Sequence, residues 1–177
     1  MSITLVRHAE VAKEYRGKYN GLIDISLSKK GRDDAKELGK TLQKKDFDKV
    51  YCSDLKRARE TLEACNLNLP TIYSKEICEK SWGIHEGKSF AELEAMGLRY
   101  ENFEQWVDAL GGERYAEYKE RIKNYFYNVI DKDDAKNILV VTHAGVIKTL
   151  LSIVKGISLE EAFSIELPYA STIEIKL

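Results

Sequence analysis

The sequence predicts an α/β protein, a three-layer α/β/α sandwich with a mostly parallel sheet. Short apolar, β-branched runs alternate along the 177-residue chain with longer polar stretches whose apolar residues recur at helical spacing. This alternation is typical of parallel strands joined by crossover helices. The most apolar run, residues 138–141, has no polar member, as expected of a strand covered on both faces. The sheet should therefore lie between two layers of helices.

The first predicted strand comprises residues 3–6 and ends at Arg7 and His8. Residues 9–27 then carry glycine, asparagine and aspartate without sustained periodicity, which predicts a long loop. Loops of that length are usually functional. Arg7 and His8 therefore stand where a strand opens into a candidate functional loop.

A helix should begin after Ser28, whose hydroxyl is a good N-cap, and its apolar side chains should pack on the sheet. Residues 47–52 are predicted to form the second strand and residues 54–65 the second helix. Ser53 and Asp54 are both good caps for that helix. The strand–helix alternation thus occurs twice in the first part of the chain.

Residues 71–73 predict a short third strand, after which the pattern changes. Five of the 11 glycines fall within residues 75–112, and we interpret this segment as a small helical cap inserted over the sheet edge. Aromatic and aliphatic residues at helical spacing predict one helix across residues 100–110 and another across residues 115–129. The second of these is expected to bury Val129.

The fourth strand, residues 138–141, ends near His143 and is followed by a helix that continues through Val154. Residues 170–175 alternate between apolar and polar and predict a terminal strand at an edge of the sheet. The chain has no internal repeat, low-complexity tract or obvious linker. We therefore interpret residues 1–177 as one domain.

The composition restricts the kinds of partner. The chain has 28 basic and 29 acidic side chains, so no general field would attract nucleic acid or an anionic membrane. Its three cysteines fit neither a zinc site nor a disulfide framework, which favours a reducing compartment. The N-terminal apolar run is too short for a signal peptide or a membrane span. These features predict a cytoplasmic protein that binds neither nucleic acid nor membrane.

Two predicted strands bring a histidine to the same edge of the sheet. His8 follows the first strand and His143 follows the fourth, and parallel sheets bind ligands beyond the carboxyl ends of their strands. Arg7 and Arg57, the latter in the first turn of the second helix, could both bind one phosphate. The backbone N–H groups from Ala144 onward open a helix, whose N-terminus favours anions. The sequence thus predicts a phosphate site without a metal or cofactor.

A neutral imidazole at such a site is a good nucleophile toward phosphorus. His8 would form a phosphohistidine that water later hydrolyses, while a carboxylic acid protonates the leaving alcohol. Glu79 and Glu86 are both candidates for this acid, and it would need partial burial or a nearby anion to keep its proton near neutral pH. These residues predict hydrolysis of a small-molecule phosphomonoester.

Motifs along nearly the whole chain resemble those of the histidine phosphatase superfamily, which includes cofactor-dependent phosphoglycerate mutases and many small phosphatases. Residues 5–10 (LVRHAE) resemble its Arg-His-Gly-Glu signature. The other similar stretches are residues 21–31, residues 53–61 (SDLKRARET), residues 77–87 (ICEKSWGIHEG) and residues 140–147 (VVTHAGVI). The resemblance implies a phosphoglycerate mutase-like fold.

The resemblance also implies the roles of individual residues. His8 would be the phosphorylated nucleophile, and Glu79 rather than Glu86 the general acid and base. The implied phosphate ligands are Arg7, Arg57, His143 and Ala144. Two residues of the long loop, Asn20 and Gly21, are candidate substrate ligands.

The chain departs from the family pattern at three positions. Ala9 and Ala144 replace the glycines that usually follow the two histidines, but they leave the backbone donors available. Glu14 stands where many relatives have an asparagine that contacts the phosphate. We expect either that Glu14 points outward, with Arg16 or Asn20 in its place, or that this contact is missing.

Several other residues are predicted to have structural positions. His85 is interpreted as a surface residue of the inserted segment, and Trp82 and Trp106 as supports of that segment. Cys52 is expected to pack in the second strand. None of the cysteines is predicted to be catalytic.

The chain is short for a mutase of this family, whose additional loops exclude water, so the resemblance favours a phosphatase. The order and lengths of the helices after residue 103 resemble those of the α-ribazole phosphatases of cobalamin assembly, which implies α-ribazole 5'-phosphate as a substrate. The alternatives are a broad-specificity sugar or nucleotide phosphatase, a phosphoglycerate mutase, and a regulatory protein that binds a phosphorylated ligand without turnover.

Overall fold

The computed structural model describes all 177 residues and confirms the predicted fold class. Five strands form one sheet in the order β3-β2-β4-β1-β5, and only β5 is antiparallel to its neighbour. The strands are β1 (Ser2–Arg7), β2 (Lys49–Ser53), β3 (Thr71–Ser74), β4 (Asn137–Thr142) and β5 (Thr172–Ile175). The helices are α1 (Lys29–Leu42), α2 (Lys56–Cys65), α3 (Phe90–Ala95), α4 (Phe103–Ala109), α5 (Tyr115–Tyr125), α6 (Ala144–Lys155) and α7 (Leu159–Ser164). None of them is both long enough and apolar enough to cross a bilayer.

The two faces of the sheet bury different helices. Successive side chains of a strand point to opposite faces, so Leu5 and Val140 pack with α4, α5 and α6. Val6 and Val141 instead pack with α1 and α2. Burial of a Val or Leu side chain contributes about 1.5–3 kcal/mol. This burial on both faces holds the three layers together and fixes the central strands β1 and β4.

The long loop after β1 is attached at the start of α1. Ser28 caps the helix as predicted, because its Oγ accepts a hydrogen bond from the Gly31 N–H at 2.9 Å. The Ser28 hydroxyl in turn donates to Glu10 at 2.7 Å. A side chain at position 31 would meet the Glu10 carbonyl oxygen at 2.1 Å, so glycine is needed there.

The predicted side-chain cap of α2 is wrong. The helix begins at Lys56 after Leu55, whose side chain cannot cap it, and the Lys56 N–H donates instead to the Asp24 carboxylate of the long loop at 2.8 Å. The side chains of Ser53 and Asp54 have other partners. The Ser53 hydroxyl lies 2.7 Å from Nε2 of His143. The Asp54 carboxylate accepts a hydrogen bond from the Cys78 thiol. Neither side chain caps the helix, although the Ser53 hydroxyl also accepts from the Leu55 N–H at 3.3 Å.

The segment of residues 75–130, which we call the wall segment, contains a turn that the sequence did not indicate. Helix α5 is followed by a π-helical turn, Phe126–Ile130, and a π-helical turn contains more residues than an α-helical one. The buried position therefore moves from Val129, which is 44% exposed, to Ile130, which is fully buried. The predicted burial of Val129 was wrong for this reason.

Other differences concern short or isolated features. Helices α3 and α7 were not predicted because each has six residues, too few for a periodic pattern to be visible. The expectation that His85 lies at the surface was also wrong, because its ring is buried and Nδ1 lies 2.7 Å from the Leu110 carbonyl oxygen. Trp82 and Trp106 both belong to the main core cluster, in keeping with the predicted supporting role, but Trp82 also lines the cavity described below.

Candidate active site

A cavity of about 200 Å³ lies beyond the carboxyl ends of β1 and β4. These two strands are parallel neighbours with Arg7 opposite Thr142, and the His8 N–H donates to the Thr142 carbonyl oxygen at 2.9 Å. The register therefore places His8 beside His143, with ring centroids 5.2 Å apart. The residues predicted from the sequence that line the cavity are Arg7, His8, Asn20, Gly21, Arg57, Glu79 and Ala144.

His8 has a defined tautomer. Its Nδ1 lies 2.9 Å from the carbonyl oxygen of Ala9, which can only accept a hydrogen bond, so Nδ1 carries the proton and Nε2 keeps a free lone pair. Burial lowers the pKa of His8 well below its ordinary value, and the charges of Arg57 and Arg7 lower it further. The imidazole is therefore neutral near pH 7, the form that acts as a nucleophile.

His143 is fully buried and, unlike the other predicted ligands, does not itself line the cavity. Burial lowers its pKa well below the ordinary value, with smaller effects from Arg57 and His8. Its Nε2 lies 2.7 Å from the Ser53 hydroxyl, while Nδ1 has no hydrogen-bond partner. If the Ser53 hydroxyl donates to Nε2, Nδ1 carries the proton and remains an available donor.

Arg57 holds the long loop against the cavity. Arg57 is 2% exposed, and its guanidinium group donates to the carbonyl oxygens of Ile23 at 2.9 Å and Gly21 at 2.7 Å. The sequence predicted Arg57 as a source of positive charge but did not indicate this contact with the loop. Burial lowers the pKa of Arg57, yet no carboxylate forms an ion pair with it.

Arg7 lies over the ring of Tyr169, 4.0 Å from its centroid. The same ring lies 5.7 Å from that of His8, and Tyr169 lines the cavity. Sequence reasoning missed Tyr169 because it stands in an irregular stretch between α7 and β5, where no periodic pattern marks it. The Nε atom of Arg7 is buried without a partner, so the guanidinium group retains a free donor near the cavity.

Glu79 reaches the cavity from the wall segment and is held by three donors. Its Oε1 accepts from the Tyr118 hydroxyl at 2.8 Å and from the Lys80 N–H at 3.0 Å, and its Oε2 accepts from the Gly145 N–H at 3.1 Å. Burial and the neighbouring Glu79 raise the pKa of Tyr118 well above its ordinary value, so the phenol keeps its proton. A side chain at position 145 would meet Oε1 of Glu79 at 2.2 Å, which explains the glycine there.

Glu86, the other carboxylate considered from the sequence, does not line the cavity. It accepts from the backbone N–H groups of Leu22 at 3.0 Å and Trp82 at 3.2 Å and so joins the long loop to the wall segment. Gly21 lies against it, since an added Cβ would meet Oε1 of Glu86 at 2.3 Å. Of the two candidates, only Glu79 faces the cavity.

The path of the long loop keeps Glu14, which replaces the family's asparagine, away from the cavity. Glu14 is exposed and does not line the cavity, and Arg16 forms an ion pair with Glu10 at 3.3 Å instead of turning inward. Asn20 does line the cavity. Its Nδ2 donates to the Tyr15 carbonyl oxygen at 2.7 Å, and its buried Oδ1 has no partner.

The other charged residues of the cavity are lysines. Lys18, Lys80 and Lys148 line it, and sequence reasoning missed all three. Lys148 could have been found, because it follows Ala144 by one helical turn and so shares its face of α6. No group of three or more His, Cys, Asp or Glu side chains is arranged to hold a metal ion.

Comparison with known proteins gives a consistent result. A profile of the histidine phosphatase superfamily (branch 1) matches residues 3–177. Phosphoserine phosphatase 1 of Hydrogenobacter thermophilus is 31% identical over 174 residues, which cover 93% of this chain and 81% of that protein. The adenosylcobalamin/alpha-ribazole phosphatase of Escherichia coli is 29% identical over 168 residues, which cover 90% of this chain and 82% of that protein.

The fold also matches solved structures. The alpha-ribazole phosphatase from Shigella flexneri has a TM-score of 0.84 at 25% sequence identity, and the match covers 100% of this chain and 91% of that one. The phosphoglycerate mutase-like fold expected from the sequence motifs is thereby confirmed. With a family profile that spans nearly the whole chain and a fold shared over its full length, the chain belongs to the histidine phosphatase superfamily and is a phosphatase.

Proposed function

We propose that the chain hydrolyses small phosphomonoesters through a phosphohistidine formed on Nε2 of His8. The observation that carries this proposal is the state of His8: a buried, neutral imidazole whose Nδ1–H is held by the Ala9 carbonyl oxygen. That hydrogen bond leaves the Nε2 lone pair as the free nucleophile beside a cavity with two guanidinium groups.

The reaction requires two steps at phosphorus. Nε2 of His8 bonds to phosphorus as the bond to the leaving oxygen breaks, and that oxygen takes a proton from Glu79. Water then attacks the phosphohistidine and gives its proton to Glu79, which releases inorganic phosphate and neutral His8. The second step needs Glu79 as a carboxylate, because it accepts a proton from water. The three hydrogen bonds donated to Glu79 stabilise this form.

The phosphoryl oxygens require positive charge and hydrogen-bond donors. The free Nε of Arg7 is a buried donor that a ligand oxygen would satisfy, and so is the unpartnered Nδ1 of His143 when the Ser53 hydroxyl donates to its Nε2. The N-terminus of α6 at Ala144 adds backbone N–H groups and a favourable dipole. We propose Arg7, Arg57, His143 and Ala144 as phosphate ligands, and Asn20 and Gly21 as further substrate contacts.

Two kinds of leaving alcohol fit the cavity lining. The rings of Tyr19, Trp82 and Phe163 support a ring-bearing alcohol such as α-ribazole, and alpha-ribazole phosphatases are among the relatives. Lys18, Lys80 and Lys148, which form no ion pairs, support an acidic alcohol such as serine, and phosphoserine phosphatase 1 is also among the relatives.

The buried free cysteines support a cytoplasmic location.

The mechanism is tested by His8→Asn with phenyl phosphate. We expect a loss of at least about 10³-fold in kcat and no acid-labile phosphoenzyme, because the nucleophile is removed. His85→Asn is the matched control, since this buried histidine lies outside the cavity lining. Turnover retained by His8→Asn would contradict the scheme. A wild-type protein that binds vanadate but hydrolyses no phosphomonoester would instead favour a phospho-ligand-binding protein.

A further inference from the structure

An arginine outside the cavity binds the backbone that leads into Glu79. Arg121 lies on α5 and does not line the cavity. Its Nη1 donates to the carbonyl oxygen of Glu76 at 2.7 Å and to those of Lys75 and Cys78 at 3.3 Å each. These carbonyl groups belong to a short 3₁₀ turn and the residue that ends it, immediately before Glu79. A basic side chain at the end of a helical turn is a common partner for its last carbonyl groups.

The remaining carbonyl group of this stretch is held from the sheet. The Thr142 hydroxyl, at the end of β4, is fully buried and donates to the Ile77 carbonyl oxygen at 2.6 Å. The Thr142 carbonyl oxygen accepts from the His8 N–H at 2.9 Å. Side chains of α5 and β4 thus bind every carbonyl group of residues 75–78. The main chain just before Glu79 is therefore fixed relative to the strand whose end pairs with His8.

The direction of the Arg121 guanidinium group is set by Glu113. Nε and Nη2 of Arg121 donate to the two carboxylate oxygens of Glu113 at 2.9 Å and 2.8 Å, which makes a bidentate pair. The two side chains are 20% and 21% exposed, so solvent weakens their attraction. Because the guanidinium group is planar, a carboxylate that holds Nε and Nη2 also fixes where Nη1 points. The pair thus directs Nη1 toward the backbone before Glu79.

Helix α5 contacts both the main chain before Glu79 and the carboxylate of Glu79. Tyr118 and Arg121 are three positions apart and share one face of the helix, with the guanidinium carbon 5.0 Å from the centre of the Tyr118 ring. A shift of the main chain would move the Glu79 carboxylate, together with its Lys80 N–H donor, relative to the Tyr118 hydroxyl and the Gly145 N–H. Misplacement of a catalytic group by about 1 Å can cost about 10²-fold in rate.

We propose that Arg121 is a positioning residue for the proton donor: by binding the backbone before Glu79, it keeps the carboxyl group within reach of the leaving oxygen. This inference rests on the proposed function, in which Glu79 protonates the leaving alcohol. Attack by His8 and binding of the phosphate by Arg7 and Arg57 involve other segments, so the loss of Arg121 should affect proton donation selectively. A weakly basic leaving group needs little protonation, and its release should depend much less on Arg121.

The test compares phenyl phosphate with p-nitrophenyl phosphate, whose leaving group is much less basic, by kcat/KM, which reports the steps up to phosphoryl transfer. Arg121→Gln should lower kcat/KM for phenyl phosphate by about 10- to 100-fold and for p-nitrophenyl phosphate by about threefold or less. Glu79→Gln should show the same selective loss. The matched control is Arg99→Gln, an exposed position of the wall segment outside the cavity lining, which should change neither value.

Arg121→Lys is a milder variant, because an ammonium group keeps the charge but cannot bind Glu113 and the carbonyl groups together. It decides the question if Arg121→Gln does not fold, as judged by thermal melting. Equal losses for the two esters, or no loss, in the variant that folds would overturn the inference and leave the proposed function intact when Glu79→Gln keeps its selective loss. If Glu79→Gln shows no selectivity, the proposed acid is wrong and this inference falls with it.

Discussion

The strand ends and the wall segment contribute to the cavity in different ways. At the strand ends, backbone pairing alone fixes the geometry, because the register of β1 with β4 sets His8 beside His143. In the wall segment, Glu79 is oriented by side-chain and backbone donors that come from α5 and α6. The proposed nucleophile is thus positioned by two paired central strands, whereas the proposed acid depends on contacts between segments that are distant in sequence.

Of the changes that test this comparison, a substitution of Glu79 should cause the largest loss of kcat. Glu79→Gln removes the proton carrier while keeping the shape of the side chain, and we expect kcat for phenyl phosphate to fall by about 10²–10⁴-fold. Glu86→Gln is the matched control, because Glu86 holds the loop and does not line the cavity. Equal losses in the two variants would mean that Glu79 acts only through structure.

The wall segment should depend on its π-helical turn for stability. Ile130 is fully buried, so Ile130→Ala should lower the free energy of unfolding by about 2–5 kcal/mol. Val129→Ala, at the neighbouring position that is 44% exposed, should change it by about 0.5 kcal/mol or less. Urea denaturation of both variants measures the difference. A larger loss for Val129→Ala would show that the turn is α-helical.

The same comparison explains which residues could be predicted from the sequence. A strand that ends abruptly at a histidine is a local pattern, and a parallel sheet brings such ends together, so the position of His8 beside His143 could be predicted. Glu79 could be separated from Glu86 only by family resemblance. Their nearly equivalent positions in a glycine-rich stretch contain no local signal for which one faces the cavity.

Residues that act through distant partners could not be predicted. The aromatic stripe of α5 correctly indicated burial of Tyr118, but burial alone does not show that its hydroxyl reaches Glu79, 39 positions earlier in the chain. The cap of α2 failed for a similar reason, because Ser53 is 90 positions from His143 in sequence. The sequence pattern identified Tyr118 as a buried residue and Ser53 as a candidate helix cap, and it gave no information about their distant partners.

A smaller loss of kcat should reveal how the wall segment positions Glu79. Tyr118→Phe removes one donor to Glu79 without removing the ring, so we expect kcat for phenyl phosphate to fall about 5- to 10-fold, equivalent to one hydrogen bond of roughly 1 kcal/mol. Tyr125→Phe is the matched control on the same helix, since Tyr125 does not line the cavity and its change should leave kcat nearly unchanged.

A double-mutant cycle with Glu79→Gln distinguishes a positioning role for Tyr118 from a merely structural one. If Tyr118 acts through Glu79, adding Tyr118→Phe to Glu79→Gln should produce almost no further loss of kcat, because the group that it orients no longer carries the proton. Thermal melting of both single variants checks that the fold persists. Independent, multiplicative losses would instead mean that Tyr118 acts elsewhere in the cavity, and the orientation of Glu79 would then depend on the Gly145 and Lys80 N–H groups alone.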